Sequence, residues 1–89
     1  MPNLDDYRKE IDDIDKSIAE LFEKRMHVVT KVSEYKKEHN IATFDPNREA
    51  KMIERNQSYI KDEKLKKYYV EYLQKQLELS KRYQEELKK

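Results

Sequence analysis

The sequence contains no glycine, no cysteine and no tryptophan, and only two prolines in 89 residues. Without cysteine there is neither a disulfide framework nor a thiolate metal site. Without glycine, β-hairpins lose their usual turn residue, and no Asn-Gly pair stands in for it. Long hydrophobic runs are also missing. No apolar stretch approaches the ~20 residues of a membrane span, and no signal-peptide pattern is present. Charge of one sign is absent as well, because 20 Lys and Arg face 19 Asp and Glu. A nucleic-acid binder would normally show a basic excess. These absences leave a cytoplasmic, soluble protein with a single domain over residues 1–89, and neither a nucleic acid nor a membrane as partner.

What is present is charge and helix-forming side chains. Charged residues make up 44% of the chain, and Glu, Lys, Leu and Gln abound, which reads as an all-α protein. High charge also marks disorder, but regular apolar spacing argues against it. From Leu4 the pattern runs Tyr7, Ile11, Ile14, Ile18, Leu21, then Arg25, then Val28, Val32 and Tyr35. The steps alternate between three and four residues, as on the seam of packed helices. A first helix over residues 4–39 follows, on the order of 50 Å long. A compact domain of this size would be nearer ~30 Å across. Two shorter helices cannot cover such a rod, so a homodimer is expected.

In "NIATFDPNREA", Asp45 before Pro46 reads as an N-cap with proline at the first helical position. A second helix over residues 46–57 presents Met52 and Ile53. Asp62 is placed to cap a third helix that continues to Leu87, with a lysine-rich end expected to fray. The third seam runs Val70, Leu73, Leu77, Ser80, Gln84 and Leu87.

Three polar residues interrupt these seams: Arg25 on the first helix, Ser80 and Gln84 on the third. A buried guanidinium without a counter-charge costs several kcal/mol, and neither seam offers it a carboxylate. Either a glutamate of the second helix turns inward, or the anion is a ligand. Lys36 lies eleven residues after Arg25, about 20° round the helix and ~16 Å along it, so both project from one face. Ser80 and Gln84 could add neutral donors from the opposite side. Arg48 and Glu49 open the second helix at the positive end of its dipole. Arg8 lies ~26 Å from Arg25 and about 100° off its face. It cannot share a pocket with Arg25 on one helix, but in a dimer of long helices it could reach the pocket of the partner chain.

Each residue has a blander reading. Arg25 fits a snorkelling or ion-paired arginine. Lys36, Arg8 and Arg48 singly fit a solvated surface, and Ser80 or Gln84 a register-setting seam residue. Asp45 is by spacing an N-cap. Tyr68, Tyr69, Tyr72 and Tyr83 read as core or interface bodies with wet hydroxyls, and His27 and His39 as surface. No metal-ligand spacing, Ser-His-acid set or carboxylate pair stands out. The residues alone support a dimeric helical bundle with a cationic pocket for a small anion.

The stretches "LDDYRKEIDDIDKSIAELFEKRMHVVTKVSEYK", "FDPNRE" and "LSKRYQ", in this order, resemble the all-helical chorismate mutases of the AroQ type over essentially the whole chain. The resemblance implies an intertwined homodimer of three-helix protomers that isomerises chorismate to prephenate without metal or cofactor. By that likeness Arg25, together with Arg8 of the partner, holds substrate carboxylates. Lys36 contacts a carboxylate and the ether oxygen, and Gln84 is the second group on that oxygen. Glu49 and the backbone at Asp45 meet the ring hydroxyl, while Arg48 and Ser80 support the carboxylates. Lys36 is charged and Gln84 does not titrate, so activity is expected to be flat from mildly acidic to mildly basic pH. A chain of this length implies a monofunctional enzyme. Lys81 falls where an apolar residue is expected near the pocket. The rival readings are an isochorismate pyruvate lyase of the same fold and a non-catalytic helical interaction module.

Overall fold

In the computed structural model, which describes residues 1–89, the chain forms three helices and no strand. The first, α1, spans Leu4–Glu38. It begins with a capping box: the Asn3 side chain accepts the Asp6 N–H at 3.1 Å, and the Asp6 carboxylate accepts the Asn3 N–H at 3.0 Å. Its end solves the problem of the missing glycine. Asn40 takes the left-handed conformation (φ 54°), which asparagine tolerates better than most residues. The Ile41 N–H then donates to the Lys36 carbonyl at 2.8 Å and the Asn40 N–H to that of Lys37 at 3.5 Å. This is the Schellman pattern, and it turns the chain back past the end of α1.

The second helix, α2, spans Pro46–Gln57 and is capped by Asp45, whose carboxylate accepts the Arg48 N–H at 3.1 Å. The third, α3, spans Glu63–Leu87 with Asp62 as its cap. All three helices therefore lie within a residue of the ranges expected from spacing and caps, and α3 ends at Leu87, leaving Lys88 and Lys89 outside it. α3 packs against both α1 and α2, which do not pack against each other. A cleft is left between α1 and α2, with α3 as its floor.

The α3 seam is inward as expected from Val70 to Gln84, with Leu73 only 1% exposed and Ser80 and Gln84 also buried, but its last residue, Leu87, is exposed. The α1 seam is not. Every residue through Lys24 is exposed, and Val28, Val32 and Tyr35 are exposed as well. The flank that α1 turns to α3 carries Met26, Thr30 and the buried Ser33, about 80–140° round the helix from Arg25. Tyr68 and Tyr72 are exposed in the single chain, whereas Tyr69 and Tyr83 are half-buried; His27 and His39 are exposed as expected.

The molecule measures 58 × 26 × 15 Å, with a radius of gyration of 16.4 Å. A compact chain of this length would have a radius near ~12 Å. Met52 and Leu73 are the only buried apolar residues, a very small core for a domain of this size. No helix is long and apolar enough to cross a membrane.

Candidate active site

The cleft between α1 and α2 closes into a cavity of about 160 Å³. α1 contributes Arg25, Val29, Val32 and Lys36; the turn and α2 contribute Thr43, Asp45, Arg48, Glu49 and Met52; α3 contributes Leu77, Ser80, Lys81 and Gln84. Seven of the eight residues singled out from the sequence thus line one space. The eighth, Arg8, does not; it lies on the exposed half of α1 and pairs with Asp5 at 3.8 Å.

Arg25 occupies the seam because that face of α1 looks into the cavity rather than onto another helix. Its Nη1 donates to the Ser80 hydroxyl, which in turn donates to the Gln76 carbonyl at 2.9 Å. The serine proton is thereby committed, so Ser80 holds Arg25 instead of presenting a free donor to the cavity. Burial, and then the nearby charge of Arg48, pull the Arg25 guanidinium below its ordinary pKa. Both influences oppose the charged form, yet a guanidinium remains protonated near neutrality. None of the chain's ion pairs involves Arg25. Its missing counter-charge is not supplied from within.

Lys36 donates to the Thr43 carbonyl at 3.1 Å, a bond made possible by the Asn40 turn. An ammonium has three donors, so two remain for the cavity. Glu49 sits on the first turn of α2 and pairs with Lys81, whose Nζ is 3.2 Å from each carboxylate oxygen. Lys81 therefore faces the cavity rather than solvent, a placement that spacing alone did not reveal. Gln84 is 7% exposed, and its Oε1 has no hydrogen-bond partner. An orphaned buried acceptor costs about 1–3 kcal/mol. Half a turn of the amide exchanges its oxygen for the NH2 group, so the position suits a ligand acceptor equally well.

Four basic side chains and two carboxylates line the cavity, leaving an excess of two positive charges. It holds no nucleophile set against a base. The arrangement can grip a small dianion and stabilise negative charge that develops on it.

The family model for chorismate mutase type II matches residues 7–85. The chain belongs to this family. The match takes in α2, most of α1 and α3, and every cavity-lining residue. A curated relative called T-protein, from Haemophilus influenzae, is 37% identical over 54 residues, or 61% of this chain. The aligned part is 14% of that relative, about a seventh of its length. No solved structure matches the chain.

Proposed function

We propose that the protein isomerises chorismate to prephenate, the branch step toward phenylalanine and tyrosine. The observation that carries this reading is the convergence of Arg25, Lys36, Glu49 and Gln84 on one cavity in a chain of this family. The reaction is a unimolecular [3,3] rearrangement. The ether C–O bond breaks as a C–C bond forms, electrons shift around a six-membered ring, and no proton is transferred. The protein's work is to hold the flexible dianion as its compact chair conformer. It must also meet the negative charge that grows on the ether oxygen.

In this reading Arg25, fixed by Ser80, takes one carboxylate, and Arg48 supports it from the start of α2. The charge that Arg25 lacks in the free chain is then supplied by the substrate. Lys36 bridges a carboxylate and the ether oxygen, and the Gln84 amide turns its NH2 group to that oxygen. Glu49 accepts from the ring hydroxyl, and the backbone at Asp45 makes a second contact to it. The surface chemistry and the family's biosynthetic role fit a cytoplasmic enzyme.

The site is completed by a second copy of the chain. Leu4, Tyr7, Ile11, Ile14, Ile18 and Leu21 are 43–65% exposed along one stripe of α1, too much apolar surface to leave in water. An apolar hollow of about 440 Å³ lined by Ile18, Leu21, Phe22, Tyr69 and Tyr72 adjoins Arg25. A two-fold dimer that lays the stripe of one chain along the hollow of the other buries both at once. It also carries Arg8 toward the partner's cavity, where it joins Arg25 on the carboxylates.

The test is to follow chorismate absorbance with purified protein and identify the product. Prephenate formation, with Arg25→Ala and Lys36→Ala each losing about 10²–10³-fold or more in kcat, supports the reading. Release of pyruvate from isochorismate, with chorismate untouched, would replace it with the lyase. No turnover of either substrate would favour the interaction module.

A further inference from the structure

Five of the chain's six ion pairs join residues three or four apart in sequence, and all five carry at least one largely exposed partner. The sixth, Lys81 with Glu49, is different in kind. It crosses from α3 to α2, and its side chains are only 33% and 21% exposed. The ammonium sits astride the carboxylate, at 3.2 Å from either oxygen. It also lies 4.4 Å from the centroid of the Phe44 ring, within cation–π range. Lys81 is thus held from two sides.

The pair matters because of what Glu49 would otherwise do. Of the two cavity carboxylates, Asp45 is tied to the Arg48 N–H as a helix cap. Glu49 is the only carboxylate not committed to a helix cap in a cavity that also holds Arg25, Lys36 and Arg48. Left without a dedicated partner, it can swing onto one of those cations and neutralise the charge that the substrate's carboxylates need. A lysine on the α3 wall removes that competition and keeps the carboxylate at the cavity edge. The remaining lone pairs, of roughly four sites on a carboxylate, still accept a hydroxyl.

We infer that Lys81 is a positioning residue that reserves Glu49 for the substrate's ring hydroxyl and keeps Arg25 and Lys36 free for its carboxylates. The inference rests on the chorismate mutase reading above. Lys81 does not touch the reacting atoms; it acts through Glu49.

The test is a double-mutant cycle in chorismate turnover with Lys81→Met, which keeps the alkyl stem over Phe44 and removes the charge. Lys81→Met is expected to lower kcat/KM about tenfold to thirtyfold, chiefly through KM, since the freed glutamate competes with substrate. Lys81→Arg is expected to restore kcat/KM to within about threefold of wild type, because it returns a cation to the same carboxylate. In a Glu49→Gln background, where no carboxylate is left to position, adding Lys81→Met is expected to change kcat/KM less than about twofold. Partly exposed pairs add little to stability, so these variants should fold; Lys81→Gln runs the same cycle should Lys81→Met fail to. An equal loss in both backgrounds would overturn the inference and make Lys81 a direct substrate contact. An unchanged KM in Lys81→Met would also overturn it, and in both cases the wild-type activity would stand. A wild type inert toward both chorismate and isochorismate would instead sink the functional reading, and this inference with it.

Discussion

The two halves of α1 live in different environments although one seam runs through both. Up to Lys24 every residue is exposed, including six apolar residues on a single stripe. From Arg25 on, the same helix buries Ser33, half-buries Met26, Val29, Thr30 and Lys36, and supplies one wall of the cavity. The chain's other helices explain the second half and leave the first without a partner. Under the proposed function, this exposed heptad pattern is the surface that meets a second copy of the chain. In the proposed dimer the first half serves the neighbour's site, through Arg8, while the second half serves its own.

The sharpest way to break this comparison is subunit mixing. Arg8→Ala and Lys36→Ala chains are each expected to lose about 10²–10³-fold or more in kcat. When the two are unfolded together and refolded, half of the dimers are mixed, and each mixed dimer holds one site with both residues intact. Activity is expected to return to about a quarter of wild type per chain. A mixture as inactive as its parents would mean that Arg8 acts in its own chain's site, and an Arg8→Ala parent that keeps its activity would place Arg8 outside any site.

A charge on the exposed stripe separates the halves by stability. Ile14 is 57% exposed in the single chain, so a monomer would accept Ile14→Glu at little cost. In the dimer it buries two isoleucines, each contributing about 1.5–3 kcal/mol, and the substitution adds two buried carboxylates. Sedimentation should show monomers, with circular dichroism reporting a largely unfolded chain. On α3, Leu73→Ala acts inside one protomer and is expected to cost about 2–5 kcal/mol, read as a lower denaturation midpoint. Because folding and pairing are coupled in such a dimer, both midpoints should rise with protein concentration.

The same division explains what was legible in the sequence. On α3 the seam has one partner layer, so spacing identified Leu73, and the breaks at Ser80 and Gln84 marked the cavity floor. On α1 the seam faces the cavity and, further back, open solvent, while the packing against α3 uses a flank about 80–140° away. Periodicity finds the most apolar face, and here that face is not the one packed within the chain. Hence Met26, Thr30 and Ser33 escaped notice, although Arg25 and Lys36 did not. Asn40 was invisible for another reason: asparagine takes the left-handed conformation only in some contexts, and nothing in the spacing demanded it. Lys81 could be placed only by knowing how α2 lies on α3. Ser80 was found, but its role in holding Arg25 depends on a proton direction that a sequence does not carry.

Arg25 sits at the border between the halves and gives the smallest effect on stability. Its pKa is lowered in the folded chain, by burial and then by Arg48, so folding disfavours its proton. For a cation shifted this way the destabilisation is fully present below the folded-state pKa, and it is relieved only as pH rises through that value. A guanidinium is far from that point near neutrality, so the cost is constant between about pH 6 and pH 9. Arg25→Met is therefore expected to leave the midpoint of thermal unfolding unchanged or to raise it by a few degrees, about 1 kcal/mol at most. The difference should be the same across that pH range, and activity should be lost throughout it. Scanning calorimetry of both proteins at several pH values, without ligand, measures this directly. A midpoint lowered by more than about 5 °C would mean that the bond to Ser80 is a structural strut. The cation would then belong to the packed half of the chain rather than to a cavity awaiting its anion.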